Sequence, residues 1–235
     1  MYHIRPNLIV GFHGCDEAVC NALLNNPNRI KISRERFDWL GNGMYFWENN
    51  YRRALDWANE KHKRGKITKP AVIGAVIELG YCCDFLNAEH ILMFKRSYER
   101  FVTDLRQRGK ELYESADKAK GRSKNRMIGE LDCFIIEHMH EEIAAQIKED
   151  IEQQGFSEQR LPDSVRGAFI EGKPVFEGSG IHEKTHIQIA IRNPNCIKGF
   201  FLPRKERISD GFHYDISDIS EDGFLVSEPG VPYNV

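Results

Sequence analysis

The 235-residue sequence contains no apolar run that approaches the roughly eighteen residues of a membrane-spanning helix. Its first residues also lack a charged segment followed by an apolar core, so no secretory signal is expected. A net charge of −2 gives no overall attraction to nucleic acid or to anionic membranes. We therefore expect a cytoplasmic protein that does not act at a membrane.

The sequence also lacks both common glycine-rich phosphate-binding motifs, GxGxxG and GxxxxGK(S/T). Its six cysteines follow no regular spacing, and the adjacent Cys82 and Cys83 do not have the spacing of a zinc site. His138 and His140 are two positions apart in a helical stretch, where their side chains diverge. We expect reduced thiols and no bound metal, and any nucleotide site must be built without the usual loops.

Short strands and a few helices without steady βαβ alternation predict an α+β fold. Apolar or alternating runs predict strands over residues 8–13, 44–47, 71–79, 185–192 and 197–202. Apolar residues at helical spacing predict helices over 16–24, 51–58, 91–105 and about 127–154, with a polar loop over 111–124. Residues 165–170 and 174–176 flank Glu171-Gly172, which predicts a β-hairpin.

The predicted strand over 185–192 shows the most regular alternation. One side carries Thr185, Ile187, Ile189 and Ile191, and the other carries His186, Gln188, Ala190 and Arg192. We expect the isoleucine side to join the core. His186 and Gln188 then face a cleft or the solvent.

Two segments offer a way to hold a dinucleotide without a glycine-rich loop. His13 ends a strand, and Gly14 after it has no side chain to block a close approach. Tyr45 follows the glycine-containing turn at 41–43 and offers a flat aromatic wall. Each feature also has a simpler reading, because strand-end histidines are often structural and aromatic clusters often belong to the core. Their occurrence together, and in order, favours a binding site.

Residues 11–14, Gly-Phe-His-Gly, resemble the Tyr-His-Gly-Thr strand of the diphtheria-toxin and poly(ADP-ribose) polymerase class of ADP-ribosyltransferases. Residues 40–46, Leu-Gly-Asn-Gly-Met-Tyr-Phe, resemble the Gly-x-Gly-Ile-Tyr-Phe strand of that class. The helix with Ala54 and Trp57-Ala58 resembles the Ala-x-x-Trp-Ala helix of bacterial members. The resemblance covers residues 9–58 and 183–202, and its third motif falls on a late strand, as the family's order requires.

The resemblance implies an ADP-ribosyltransferase-like split β-sheet core of short strands with flanking helices. This domain is expected to span residues 1–204, with a mostly helical insertion at about 89–155. Residues 205–235, which are acidic and contain glycine and proline, are expected to form a peripheral tail.

The resemblance also implies roles for the matching positions. His13 would bond the nicotinamide ribose of NAD, and the backbone of Gly14 would hold the carboxamide. Tyr45 would stack on the nicotinamide ring, with Tyr51 against its other face. His186 is expected to line the same NAD site.

The third motif departs from the family, because polymerase-type members have a glutamate where this strand has Gln188. That glutamate stabilises the positive charge that develops on the ribose as the nicotinamide bond breaks. Gln188 can position a hydroxyl but supplies no charge. Glu177 and Glu183 lie in the preceding loop, and movement of this loop could bring Glu183 in as a helper. The expected catalytic set is His13, Tyr45 and Gln188, with Glu183.

These roles predict a mono-ADP-ribosyltransferase that transfers ADP-ribose from NAD to a protein or nucleic acid and releases nicotinamide. A bacterial toxin or antiviral-defence role, with an antitoxin or other inhibitory partner, fits this class. Two alternatives stay open: an NAD glycohydrolase, and a catalytically silent module that binds NAD or ADP-ribose. The basic runs at 61–69 and 118–126 would suit a nucleic-acid acceptor, although a solvated helix end and a loop explain them more simply.

Overall fold

A computed structural model of the protein describes residues 8–107 and 124–204, without the side chains of residues 124–128. The strands of this part are β1 (Ile9–Asp16), β2 (Met44–Glu48), β3 (Pro70–Ile77), β4 (Cys82–Asp84), β5 (Ser164–Phe169), β6 (His186–Ile191) and β7 (Ile197–Phe201). Its helices are α1 (Glu17–Asn25), α2 (Tyr51–Lys63), α3 (Ala88–Gln107) and α4 (Lys124–Gln154). None of these helices has the length and apolar character needed to cross a membrane. The predicted tail and all but the last residues of the predicted loop at 111–124 lie outside the described residues.

The strands form one open sheet of seven strands, in the order β4-β5-β6-β2-β1-β3-β7. Strands β4 and β5 run parallel, whereas every other neighbouring pair is antiparallel. The mixed sheet and its helices confirm the predicted α+β class. The two predicted motif strands, β1 and β2, are neighbours near the middle of this sheet.

Two of the predicted helix starts are confirmed by their caps. The Asp16 carboxylate accepts a hydrogen bond from the backbone N–H of Ala18 at the start of α1. The side chain of Asn50 accepts one from the N–H of Arg53 at the start of α2. Each cap satisfies a backbone donor that the first helical turn leaves unpaired, so these polar residues fix where the helices begin.

The register of the central strands divides the side chains between two faces of the sheet. Phe12 pairs with Trp47, and Trp47 pairs with Gln188, so these three side chains share one face, here called the Trp47 face. Helix α2 packs on this face through Ala54. The opposite face carries the largest core cluster, which includes Phe46, Ile73, Ile77, Ile189, Ile191 and residues of α1.

The predicted hairpin around Glu171-Gly172 is wrong. Strand β5 instead pairs with β6 along its whole length, from Ser164 opposite Ile191 to Phe169 opposite His186. Pro174 forms only an isolated bridge with His182 inside the connection between the two strands. The β5–β6 pairing is favoured over the predicted short hairpin because it forms more backbone hydrogen bonds. Residues 170–185 therefore form a long loop that connects β5 to β6, and Glu171-Gly172 lies within this loop rather than at a tight turn.

The prediction for the alternating strand is confirmed for its isoleucine side but not for His186. Ile189 and Ile191 are fully buried in the core. His186 is only 6% exposed, so it faces neither open solvent nor an open cleft. The reason is tertiary, since Trp47, Phe169 and the ion pair between Arg53 and Glu171 surround the imidazole.

Gly14 lies where β1 passes closest to helix α2. A Cβ atom added to Gly14 would collide with the backbone carbonyl oxygen of Ala54, which cannot move without displacing the helix. We expect Gly14→Ala to destabilise the protein by about 1–3 kcal/mol through overpacking, measured by denaturant unfolding. Gly199→Ala is the matched control, because a Cβ at Gly199 meets no atom within 4 Å. Equal stability of the two variants would contradict this account of the α2 packing.

Candidate functional site

Strands β1 and β2 pair over a very short distance. Their ladder consists of Gly11 opposite Glu48 and Phe12 opposite Trp47, although β1 continues beside β3 as far as Asp16. Beyond this ladder the imidazole of His13 spans the gap, with Nδ1 2.7 Å from the carbonyl oxygen of Tyr45. The two sequence motifs are thus joined directly, just beyond the last pair of the β1–β2 ladder, at a gap between the two strands that is here called the split.

The contact with Tyr45 fixes the protonation of His13. A carbonyl oxygen only accepts, so Nδ1 carries the proton and donates it to Tyr45. Burial lowers the pKa of His13 below its ordinary value, an effect that the backbone hydrogen bond opposes in part. The ring is therefore neutral at neutral pH, and its lone pair is on Nε2. A ligand hydroxyl can donate to that nitrogen.

Backbone groups of Gly14 face the same gap. The carbonyl oxygen of Val10 accepts from Asn49, and Phe12 pairs with Trp47, so alternate residues of β1 direct their backbone groups toward β2. Gly14 continues this alternation, but the β1–β2 ladder has ended before it. Its N–H and C=O are placed to pair with an amide of a ligand, whereas its Cα is covered by α2.

The ring of Tyr45 is held rigidly by the loop that precedes β2. Its hydroxyl accepts from the N–H of Leu40 and donates to the carbonyl oxygen of Gly41, both at 2.9 Å. Burial raises the pKa of Tyr45 well above its ordinary value, so the hydroxyl stays protonated. Gly41 has a φ of +76°, a left-handed conformation that favours glycine in this loop.

Helix α4 clamps the same loop. The carboxylate of Glu137 accepts from the backbone N–H of Asn42 at 2.7 Å and from its side-chain amide at 2.5 Å. Arg192 forms an ion pair with Glu137 and donates to the carbonyl oxygen of Asn42 at 3.1 Å. No local pattern predicts this clamp, because its members are 55 to 150 residues apart in the chain.

Gln188 lies on the Trp47 face, directly opposite Trp47 and two residues along β6 from Ala190, which pairs with Tyr45. Its side-chain oxygen accepts a hydrogen bond of 2.6 Å from the indole N–H of Trp39. The loop at 39–41 therefore holds both Tyr45 and Gln188. Neither motif predicted the role of Trp39, which directly precedes the glycine turn.

A buried polar cluster lies beside Gln188 on the Trp47 face. Arg53 is only 7% exposed, and its guanidinium donates to both carboxylate oxygens of Glu171 at 2.6–3.1 Å. His186 donates from Nδ1 to the carbonyl oxygen of Lys184 at 2.6 Å and lies 3.9 Å from Glu171. The Trp47 ring is 6.2 Å from that of His186.

Three buried atoms of this cluster have no hydrogen-bond partner among the described residues. They are Trp47 Nε1, Arg53 Nη1 and His186 Nε2. The first two are donors, whereas Nε2 of the neutral imidazole is an acceptor, since burial lowers the pKa of His186. Buried polar atoms without partners are costly, so each of them would be stabilised by a water molecule or a ligand group within hydrogen-bond reach.

The other predicted site residues lie further out. Tyr51 is 42% exposed and packs edge-on against Phe12 rather than against Tyr45. Glu183 is exposed in the 170–185 loop, where it accepts from the backbone N–H of Lys173 at 3.4 Å, and Glu177 is also exposed. The carboxylate that reaches the cluster is Glu171, which the hairpin interpretation had placed in a turn.

Among the described residues, no group of three or more His, Cys, Asp or Glu is arranged to hold a metal ion. All six cysteines are buried and free of disulfides. No protein-family model, curated protein or solved structure matches the chain. A function must therefore be argued from the residues of this site and their geometry.

His140 makes the clamp region sensitive to acid. It is buried on α4, and burial, together with Arg192, lowers its pKa from 6.5 to about 4. Because the unfolded chain takes up this proton first, stability is lost as pH falls from 6.5 toward 4, by about 3 kcal/mol in total. Denaturant unfolding at several pH values should show this slope, and His140→Leu should reduce it. An unchanged slope in that variant would assign the acid sensitivity to other groups.

Proposed function

We propose that the protein is an NAD-dependent mono-ADP-ribosyltransferase, which transfers ADP-ribose to a macromolecular acceptor and releases nicotinamide. The observation that carries the proposal is the hydrogen bond between His13 and the Tyr45 carbonyl oxygen at the split between β1 and β2. It joins the two segments that resemble the NAD-binding motifs of this enzyme class. It also leaves His13 Nε2 and the Gly14 backbone free to meet a ligand.

In the proposed complex the nicotinamide end of NAD occupies the split. Its carboxamide pairs with the N–H and C=O of Gly14, and a ribose hydroxyl donates to His13 Nε2. The Tyr45 ring, fixed by its hydroxyl, provides an apolar wall beside the nicotinamide. A second ribose hydroxyl would donate to His186 Nε2, one of the unpaired buried atoms of the cluster.

The reaction breaks the bond between the nicotinamide nitrogen and C1′ of the ribose, and the electron pair leaves with nicotinamide. Positive charge develops on the ribose, and an acceptor nucleophile then bonds to C1′ and gives up its proton. Gln188 orients a ribose hydroxyl through its neutral amide. Glu171, 3.9 Å from His186 Nδ1, supplies negative charge beside the His186 cluster, and Glu183 is a second carboxylate on the same loop.

A second function deserves equal testing, because the charges near the site are already compensated. Arg53 pairs with Glu171, and the side-chain oxygen of Gln188 is occupied by Trp39. With no free carboxylate on β6, the same site could hold NAD or ADP-ribose without cleaving it. This observation favours a catalytically silent binding module. No feature of the described residues favours an NAD glycohydrolase in particular.

Nicotinamide release from NAD distinguishes these functions. We expect release together with labelling of a protein or nucleic acid when cell lysate supplies an acceptor. His13→Ala and Tyr45→Ala should each lower turnover by about a hundredfold, because they remove groups that position the substrate. His62→Ala and Tyr98→Ala are matched controls at exposed positions and should keep turnover. Binding of NAD without release would favour the silent module, and release without labelling would favour hydrolysis.

The third-motif residue is tested by a separate set of variants. Gln188→Ala should lower turnover by at least about tenfold while NAD still binds, because only the orientation of the ribose is lost. Glu171→Gln and Glu183→Gln identify which loop carboxylate contributes, and both keep the shape of the side chain. Full activity of Gln188→Ala together with loss in Glu183→Gln would show that the assignment of Gln188 is incorrect.

A further inference from the structure

A cavity of about 180 Å³ lies beside Trp39. It lies among α3, α4, the loop before β2 and the end of β4. Its lining consists of Trp39, Phe85, Ile91, Phe94, Asp132 and Ile136. The wall is mainly apolar, and Asp132 is its one charged residue.

Asp132 has no hydrogen bond or ion pair with any described residue. Most of the half-buried or buried carboxylates nearby have partners, as Glu137 has Arg192 and Glu142 has Arg100. Burial alone raises the pKa of Asp132 to about 6, so at neutral pH the carboxylate is mostly charged but poorly solvated. A cation beside it would recover the lost interaction.

Aromatic rings form the rest of the wall. The rings of Phe85 and Phe94 are 5.1 Å apart and tilted by 53°, and Trp39 lies against the other side of the cavity. The faces of aromatic rings attract cations, and the attraction is strongest where water is excluded. A wall of three aromatic rings with one unpaired carboxylate is typical of a site that binds an organic cation. A neutral apolar ligand would leave Asp132 without a partner, and an anion would be repelled by it.

The cavity is coupled to the proposed NAD site through Trp39. The same indole that lines the cavity donates its N–H to Gln188 at 2.6 Å. The Trp39 ring also lies 5.1 Å from Phe169, next to the His186 cluster. A group bound in the cavity is therefore one side chain away from the residue assigned to orient the ribose.

We propose that this cavity binds the charged end of a basic side chain, lysine or arginine, presented by a protein acceptor. The placement of that acceptor beside the reacting ribose rests on the proposed function. The recognition of the cation rests only on Asp132 and the three rings.

The test uses the full chain and two short peptides. One is acetyl-Gly-Lys-Gly-amide, and the other replaces lysine with norleucine, which keeps the carbon chain and removes the charge. Binding is followed by NMR titration of the Trp39 indole N–H signal. We expect the lysine peptide to bind at least about tenfold more tightly, since cation–π and carboxylate contacts are lost with norleucine. Equal binding of the two peptides, or no binding of either, would overturn the proposal.

Asp132→Asn provides the matching variant, because it keeps the shape of the side chain and removes its charge. It should lower the preference for lysine over norleucine, because the carboxylate contact is lost while the ring contacts remain. Glu141→Gln is its control, since Glu141 is an exposed carboxylate on the same helix and does not line the cavity. An unchanged preference for lysine in Asp132→Asn, or an equal loss in Glu141→Gln, would exclude Asp132 as a recognition group.

The two proposals fail separately. Lysine-selective binding by a protein that cleaves no NAD would refute the transferase and keep the cation site. Nicotinamide release by a protein without lysine selectivity would refute the cation site and keep NAD cleavage.

Discussion

One hydrogen bond, from His13 Nδ1 to the Tyr45 carbonyl oxygen, holds together two strands that no longer pair with each other. Without it the carbonyl of Tyr45 and the backbone groups of Gly14 would all face an open split. With it, the imidazole is neutral and oriented, and its second nitrogen is an acceptor. This bridge between β1 and β2 thus orients the imidazole of His13 beside the backbone groups of Gly14 that face the split.

The loop before β2 is the second element on which the site depends. Glu137 and Arg192 hold it from α4 and from the end of β6, and the loop in turn holds the Tyr45 hydroxyl and the Gln188 side chain. A long helix outside the motif region therefore positions both motif residues. Such a pair of partly buried charges contributes mainly geometry, because the cost of desolvation offsets much of the attraction between them.

The local patterns of the sequence were sufficient for much of the fold. Alternation and apolar runs predicted β1, β3, β6 and β7, and helical spacing predicted α1 and α2, because these elements depend on neighbours in the chain. The hairpin at Glu171 failed for the opposite reason. Its two sides were each plausible strands, but β5 gains more backbone hydrogen bonds from β6, which lies beyond a long loop.

The sequence by itself determined that His13 lies in a strand and that Tyr45 follows a glycine-containing turn into another strand, because apolar runs and glycines act locally. The tertiary structure alone decided which carboxylate and which aromatic residues surround them. Glu171, Arg53 and Trp39 carry no motif, and the contacts of Arg53 with Glu171 and of Trp39 with Gln188 join residues 118 and 149 positions apart. His186, expected to face a cleft or solvent, is buried instead. The burial of a side chain depends on all the elements packed around it and not on its strand alone.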